Sequence, residues 1–210
     1  MSILQFFWKN QSQIYDLTLE HLWLVGISML LAVAAGLPLG ILLTRRPAFR
    51  KPILGGAAVV QTIPSLALFG FLLPAPWLGQ RADRLAVIAL TLYALLPIIQ
   101  NTYTGIEGVD SNVREAARGM GMTDLQLLFQ VELPLAMGVI LAGVRVATVL
   151  TVGVATIAAA VGAGGLGEFI FRGLAMVDNR VILAGAIPAA LMALLANFLL
   201  GRLEHRFRYT

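Results

Sequence analysis

Long apolar runs separated by short polar segments dominate the chain. Five runs are long enough to cross a bilayer, because a hydrocarbon core of roughly 30 Å takes about 20 helical residues. Backbone groups in lipid must find hydrogen bonds within the protein, and no run alternates with period 2, so helices are predicted rather than barrel strands. The sequence therefore predicts an all-α integral membrane protein with five transmembrane helices, over residues 22–44, 53–80, 85–106, 133–167 and 181–201.

Two of the five runs are irregular. The run 53–80 is longer than a span needs and contains Pro64. The run 133–167 contains Arg145 as its single ionised residue. We interpret this arginine as a side chain that snorkels to the interface or bonds a neighbouring helix, and a cation lining a transport pathway is the functional alternative.

The composition agrees with a membrane protein and excludes other classes. Of the 210 residues, 59% are hydrophobic and 12% are charged, against about 45–50% and about 25% in soluble domains. So few charges cannot supply the polar surface of a soluble enzyme, and they also argue against a disordered chain. A formal net charge of +4 is too small for a nucleic-acid binder, and the absence of cysteine excludes disulfides and zinc–thiolate sites.

Basic residues predict the orientation of the spans. The loop 45–51 holds four basic residues, and the tail 202–210 holds three arginines. Both lie in the cytoplasm if the amino end is outside, which predicts an N-out/C-in topology. Residues 1–210 are predicted to form a single transmembrane domain. Its first part, 1–20, is interpreted either as an interfacial amphipathic helix or as a partly ordered leader with aromatic anchors.

Catalytic and ion-coupling chemistry has little support in the sequence. No phosphate-binding P-loop motif is present, so the chain is not expected to hold ATP by that motif. His21 and His205 fall at span edges on opposite predicted sides, where they are interpreted as polar boundary residues. No Asp or Glu lies within a predicted span, which argues against a proton-coupled carrier and less firmly against a sodium-coupled one. We predict no catalytic residue and no metal ligand.

Two glycine patterns have structural interpretations. Residues 162–167 read G-A-G-G-L-G, which matches the dinucleotide-binding pattern G-x-G-x-x-G. That pattern requires a preceding strand, whereas this segment follows an apolar helix, so we predict a sharp turn or close helix contact instead. Gly36 and Gly40 are separated by three residues, and we interpret them as a site of helix packing.

The segment 107–134 is the only sizeable polar segment between spans. Asp110 or Ser111 can cap a short helix, which Gly119 and Gly121 then end. A small apolar face on such a helix suits close docking into a groove of another protein, and a plain connecting loop is the alternative.

A second short helix is predicted within the same segment. Thr123 is a cap candidate ahead of Leu125, Leu128 and Phe129, which recur at helical spacing. Pro134 is expected to stop this helix and to start the next span. The two short helices are expected to lie on the inner membrane face.

Residues 115–134 resemble the signature of bacterial ABC importer permeases. That signature reads E-A-A, three residues, G, nine residues, I-x-L-P, and the sole departure is Val131 in place of isoleucine. In that family the segment is a coupling helix, which docks into a cleft of a separate ATP-binding subunit. The resemblance implies that the coupling residues are Glu115, Ala116, Ala117, Gly119, Gly121, Leu133 and Pro134.

Membership of that family implies a type I importer permease fold in the bacterial cytoplasmic (inner) membrane, and a set of partners. These are two copies of an ATP-binding subunit, a second permease subunit that is identical or a sister chain, and an extracytoplasmic substrate-binding protein. ATP and Mg²⁺ are expected on the ATP-binding subunit, so this chain itself is expected to be non-catalytic and to hold no cofactor. The lipid bilayer is a further partner, and no nucleic acid is expected.

Three further segments, 17–22, 61–68 and 162–170, resemble permeases for glycine betaine, carnitine and choline. The resemblance implies import of a small compatible solute, and a permease for another small solute such as an amino acid, or a secondary carrier, is the alternative. Polar and proline residues of the second and third spans are candidates to line the path, and ordinary hydrogen bonding between helices explains them equally well. These candidates are Gln61, Thr62, Pro64, Ser65, Tyr93, Asn101 and Thr102.

Overall fold

The computed structural model describes residues 3–74 and 81–207, in which all regular secondary structure is helical. Four continuous helices are long and apolar enough to cross a membrane, and a bent pair of helices occupies the remaining predicted run. This agrees with the all-α prediction. The α-helices are α1 (Ile3–Lys9), α2 (Gln11–Arg45), α3 (Arg50–Thr62), α4 (Ser65–Leu72), α5 (Ala82–Glu107), α6 (Ser111–Gly119), α7 (Asp124–Leu127), α8 (Leu133–Ala158), α9 (Gly167–Met176) and α10 (Asn179–Phe207).

The first span is longer than the apolar run predicts. Its helix begins at Gln11 and continues without a break to Arg45, so only α1 is a separate element at the amino end. At the junction, the side-chain amide of Asn10 donates a hydrogen bond to the carbonyl oxygen of Phe6 at 2.8 Å. Half of the expected leader is therefore continuous with the span.

The predicted run 53–80 is a broken span rather than a single straight helix. Helices α3 and α4 meet at an angle of 102°. Ile63 is extended, with φ −68° and ψ 127°, because the ring of Pro64 disfavours helical backbone in the residue before it. Pro64 also lacks the N–H that would continue the helix. The end of the predicted run, 75–80, lies outside the described residues.

Helix α5 lies at the centre of the bundle, between α2 and α8. The interpretation of Gly36 and Gly40 as a packing site is confirmed, since both lie directly against α5. A Cβ atom built on Gly36 would come within 2.7 Å of Ile98, and one on Gly40 within 2.5 Å of Thr102. The two glycines therefore allow the backbone of α2 to approach α5 closely.

A buried ion pair joins α8 to α10. Arg145 Nε lies 3.1 Å from Glu204 Oε2, and the residue Glu204 is buried. The interpretation of Arg145 as a side chain that bonds a neighbouring helix is thus supported. The predicted run ended at residue 201, whereas α10 continues to Phe207. Glu204 therefore lies within α10 but beyond the apolar run that the sequence predicts.

The glycine-rich segment forms a compact turn between α8 and α9. Gly162, Gly164 and Gly165 have φ values of 81°, 82° and 79°, which only glycine adopts freely. The Gly165 N–H donates a hydrogen bond to Glu20 Oε2 at 3.0 Å. Because the segment follows helix rather than a strand, the structure agrees with the sharp turn and not with a dinucleotide site.

His21 lies near this glycine turn and is fully buried, contrary to its interpretation as a boundary residue. Its Nε2 is 3.1 Å from the carbonyl oxygen of Val152, so the ring links α2 to α8. A buried polar side chain needs such a partner. His205, in contrast, is exposed at the other end of the bundle.

The start of α10 is fixed by Asp178. Its Oδ1 accepts a hydrogen bond from the Arg180 N–H at 2.9 Å, and the Arg180 guanidinium also binds the carboxylate. These bonds to Arg180 lower the pKa of Asp178 to about 2. The capping carboxylate is therefore ionised throughout the physiological pH range.

Candidate coupling site and translocation path

Helix α6 holds the first half of the candidate coupling segment, and its ends are those that the sequence predicts. Asp110 is its N-cap, because its Oδ1 accepts a hydrogen bond from the Asn112 N–H at 2.8 Å. Gly121 follows the helix in the left-handed region, with φ 84°. A Cβ atom on Gly121 would meet nothing within 4 Å, so glycine is needed there for its conformation and not for space.

The candidate coupling residues divide by exposure. Ala117 is buried and anchors α6 on the bundle, and Leu133 is half-buried. The others are available to a partner protein, and they are Glu115, Ala116, Gly119, Gly121 and Pro134. Four large apolar side chains of the same segment are also exposed, a feature common in interaction surfaces, namely Val113, Met120, Leu125 and Phe129.

The second half of the segment differs from its prediction. Thr123 caps α7 as expected, through a capping box in which Thr123 and Gln126 exchange two side-chain to backbone hydrogen bonds. However, α7 leads through a π-helical turn, Leu128–Glu132, directly into α8. The expectation that Pro134 separates a short helix from the span is therefore wrong.

The π-helical turn explains why the helix continues through Pro134. The Leu133 N–H donates to the carbonyl oxygen of Leu128, five residues earlier. Proline lacks an N–H and its ring crowds the preceding turn, and a wider turn at this point accommodates both effects. The coupling segment is thus covalently and helically continuous with α8.

Glu132 is a residue of this region that sequence reasoning missed. It is 1% exposed. Arg45, at the end of α2, donates a hydrogen bond to Glu132 Oε2, and Arg114 Nε of α6 lies 3.3 Å from Glu132 Oε1. The available signal was a carboxylate between apolar residues at the start of a span, since a buried charge requires a partner. The sequence could not identify which arginines those partners are.

Two of the residues proposed to line the translocation path, Gln61 and Tyr93, join the break in the second span to α5. The Gln61 side-chain amide donates to the carbonyl oxygen of Tyr93 at 3.2 Å. The Tyr93 hydroxyl donates in turn to the carbonyl oxygen of Ile63. The structure therefore brings Gln61 and Tyr93 together with the break at Pro64, and both side chains are occupied by interhelical bonds.

The remaining path candidates do not form one cluster. Thr62 is exposed and Ser65 half-buried beside the break. Asn101 donates to the carbonyl oxygen of Pro97 in its own helix at 2.8 Å. Thr102 is fully buried against Gly40. Their assignment to a translocation path stays a prediction.

A second polar region lies at the opposite end of the bundle. A cavity of about 590 Å³ is lined there by the glycine turn, Trp23 and three carboxylates, which are Glu20, Asp83 and Glu168. Within residues 3–74 and 81–207, no three His, Asp or Glu side chains are grouped closely enough to hold a metal ion.

Comparison with known proteins identifies the family. Residues 36–209 match the family described as binding-protein-dependent transport system inner membrane component. The carnitine transport permease protein OpuCB of Listeria monocytogenes is 44% identical, with 98% of this chain and 93% of that protein covered. The osmoprotectant import permease protein OsmW of Salmonella typhimurium is 42% identical over 97% and 96%. The choline transport system permease protein OpuBB of Bacillus subtilis is 39% identical over 97% and 93%.

Solved structures agree on the fold. An inward-facing form of the MetNI methionine ABC transporter superposes with a TM-score of 0.83 at 22% identity, over 99% of both chains. An amino acid ABC transporter crystallised with histidines superposes with a TM-score of 0.79 at 21% identity, over 98% and 99%. At these identities the likeness shows the fold, which is that of type I ABC importer permeases. The chain therefore belongs to the family of binding-protein-dependent transport system inner membrane components, and it is a permease subunit of the inner membrane.

Proposed function

We propose that this chain is the transmembrane subunit of an ATP-driven importer for a small quaternary ammonium osmoprotectant, of the glycine betaine, carnitine or choline class. The observation that carries this proposal is the identity of 39–44%, over almost the whole chain, to permeases named for carnitine, osmoprotectants and choline. The methionine transporter and the amino acid transporter share the fold at 21–22% identity. A likeness of fold at this level of identity does not indicate that this chain transports the same substrates.

In this proposal, ATP hydrolysis by partner subunits supplies the energy for transport. Two copies of an ATP-binding subunit hold ATP and Mg²⁺, and each contacts the α6 end of one permease. The exposed residues Glu115, Ala116, Gly119 and Gly121 form the contact, whereas buried Ala117 holds α6 against the bundle. The exposed apolar side chains Val113 and Met120, which lie outside the continuous helix Asp124–Val161, support this assignment, because a connecting loop in water has no need of them.

The proposed topology is N-out/C-in, so that α6 lies in the cytoplasm. The α6 end of the bundle contains Arg45, Arg46, Arg50 and Lys51, which favours the cytoplasmic side. The glycine turn and the cavity beside it then face outward, toward a substrate-binding protein. A second permease subunit, identical or a sister chain, completes the path.

Transport follows from a switch between two states. Closure of the two ATP-binding subunits on ATP moves both copies of α6, and the spans rock from inward-facing to outward-facing. A quaternary ammonium ion has no proton to lose and is attracted to aromatic faces. We assign most of the substrate selectivity to the binding protein. The path itself is permissive and lies between the two permeases, near the break at Pro64.

Reconstitution tests this proposal. Proteoliposomes containing this chain, its ATP-binding subunit and its binding protein are assayed for uptake of labelled glycine betaine, carnitine, choline, methionine and histidine. ATP-dependent uptake of one of the first three, lost when the ATP-binding subunit is inactivated by substitution, is expected. Uptake confined to an amino acid would overturn the substrate class, and uptake by this chain alone would indicate a secondary carrier.

A further inference from the structure

We infer that Glu132 is a positioning residue that makes α6 and the ends of two spans move together, an inference that rests on the proposed function. Glu132 is a buried carboxylate at the α6 end that pairs with two arginines from different helices. We call Arg45, Arg114 and Glu132 the Glu132 cluster. Arg45 is the last residue of α2, Arg114 lies in α6, and Glu132 immediately precedes α8.

Burial of the Glu132 carboxylate favours a fixed arrangement of the three side chains in the Glu132 cluster. The Glu132 side chain is 2% exposed, against 33% for Arg45 and 21% for Arg114. If an arginine moved away from Glu132, part of the negative charge of this buried carboxylate would be left without a positive partner. That is strongly unfavourable in an apolar surrounding. The three side chains are therefore expected to stay together when α6 moves.

The Glu132 cluster also reaches a third span. The guanidinium of Arg114 donates a hydrogen bond to the carbonyl oxygen of Ile106, near the end of α5. One arginine of α6 thus contacts both the end of α5 and the start of α8. Helix α6 is also joined to the spans by the short segments 108–110 and 120–123 and by its buried Ala117.

This geometry gives α6 a direct path to the spans. A force on α6 acts through Arg114 on Glu132, which belongs to a helix continuous from Asp124 to Val161. The same carboxylate acts on α2 through Arg45. Rigid displacement of packed helices is the usual form of such a transition. The Glu132 cluster accordingly transmits the movement of α6 to α2 and α8.

The chain offers a matched control. Glu204 is also a buried acid paired with an arginine, Arg145, and this pair joins α8 to α10. Neither residue of this pair belongs to α6, since Arg145 lies in α8 and Glu204 in α10. Loss of either acid removes a buried ion pair, but the pair at Glu132 includes an arginine of α6, whereas the pair of Glu204 with Arg145 joins two spans.

The test uses the complete importer in proteoliposomes. The variants are Glu132→Gln, Arg114→Met, Arg114→Lys and the control Glu204→Gln. The measurements are the amount of ATP-binding subunit that copurifies and the number of solute molecules imported per ATP hydrolysed. In Arg114→Met, Glu132 keeps Arg45 as its partner, so this variant decides the question even if Glu132→Gln fails to fold.

We expect Arg114→Met and Glu132→Gln to retain the ATP-binding subunit and to hydrolyse ATP, with the solute-to-ATP ratio reduced about fivefold or more. Arg114→Lys, which keeps the charge, should restore much of the ratio, and Glu204→Gln should keep the wild-type ratio. An unchanged ratio in Arg114→Met, or an equal fall in Glu204→Gln, would overturn the inference. If the wild-type importer shows no ATP-driven uptake, the proposed function itself fails and the inference falls with it.

Discussion

The Tyr93 hydroxyl donates a hydrogen bond to the carbonyl oxygen of Ile63, the residue at which the second span breaks. This carbonyl has left the helical pattern, so α5 supplies the donor that α3 and α4 cannot. Tyr93→Phe removes that donor and keeps the ring. We expect stability to fall by about 1 kcal/mol, with a larger loss of uptake because the break is less firmly held.

The measurement is thermal denaturation of the purified importer together with solute uptake. Tyr103→Phe is the control, because the ring of Tyr103 still contacts Arg50 after the hydroxyl is removed. Equal behaviour of the two variants in both assays would contradict a special role for the Tyr93 hydroxyl.

Gly40 provides a second test, of packing between α2 and α5. A Cβ atom here would lie 2.5 Å from Thr102 Cβ and 3.0 Å from the carbonyl oxygen of Ile99, so the helices must separate to admit it. Gly40→Ala is expected to destabilise the protein by about 1–3 kcal/mol. Gly26→Ala, in the same helix with nothing within 4 Å, is expected to be neutral or stabilising. The measurement is the melting temperature of each variant in detergent. An equal fall in the two variants, or no fall in Gly40→Ala, would contradict the packing argument.

These residues show what a sequence can and cannot predict in this fold. The spans were predictable because lipid requires long charge-free runs, and the caps at Asp110 and Thr123 because each involves residues no more than three positions apart. The partners of Glu132 were not predictable, since Arg45 lies 87 positions away.

The path of the backbone around prolines was predictable only in part. Pro64 ends a helix and Pro134 does not, although both stand next to apolar runs. The difference lies in the turn before each proline, because a π-helical turn accommodates Pro134 whereas Ile63 adopts an extended conformation. A sequence pattern that marks only the proline cannot distinguish these two outcomes.

Gly121 tests the contact with the ATP-binding subunit. Gly121→Asp is expected to leave the protein inserted but to abolish uptake, because it places a charge on the docking surface and a side chain at φ 84°, which costs about 1–2 kcal/mol. Gly121→Asn is the control, since asparagine tolerates this backbone conformation about as well as aspartate does and carries no charge. Uptake is measured at matched membrane abundance. Similar loss in both variants would attribute the effect to the backbone alone.

Glu115 tests the same surface without changing the backbone. It is exposed within α6, so Glu115→Lys is expected to fold normally and to abolish uptake through charge reversal at the contact. Glu107→Lys, at an exposed position at the end of α5, is the control for a general change of surface charge. Normal uptake by Glu115→Lys at wild-type abundance would exclude this residue from the coupling contact.

Pro64 tests whether the break in the second span serves transport. Pro64→Ala restores the N–H and frees Ile63 to become helical, so α3 and α4 can approach one continuous helix. We expect the variant to insert and to import solute severalfold more slowly, because the path near the break changes shape. Pro188→Ala is the control, since Pro188 lies inside α10, which is not broken. Uptake by Pro64→Ala at the wild-type rate would mean that this proline serves packing and that the break is not part of the transport path.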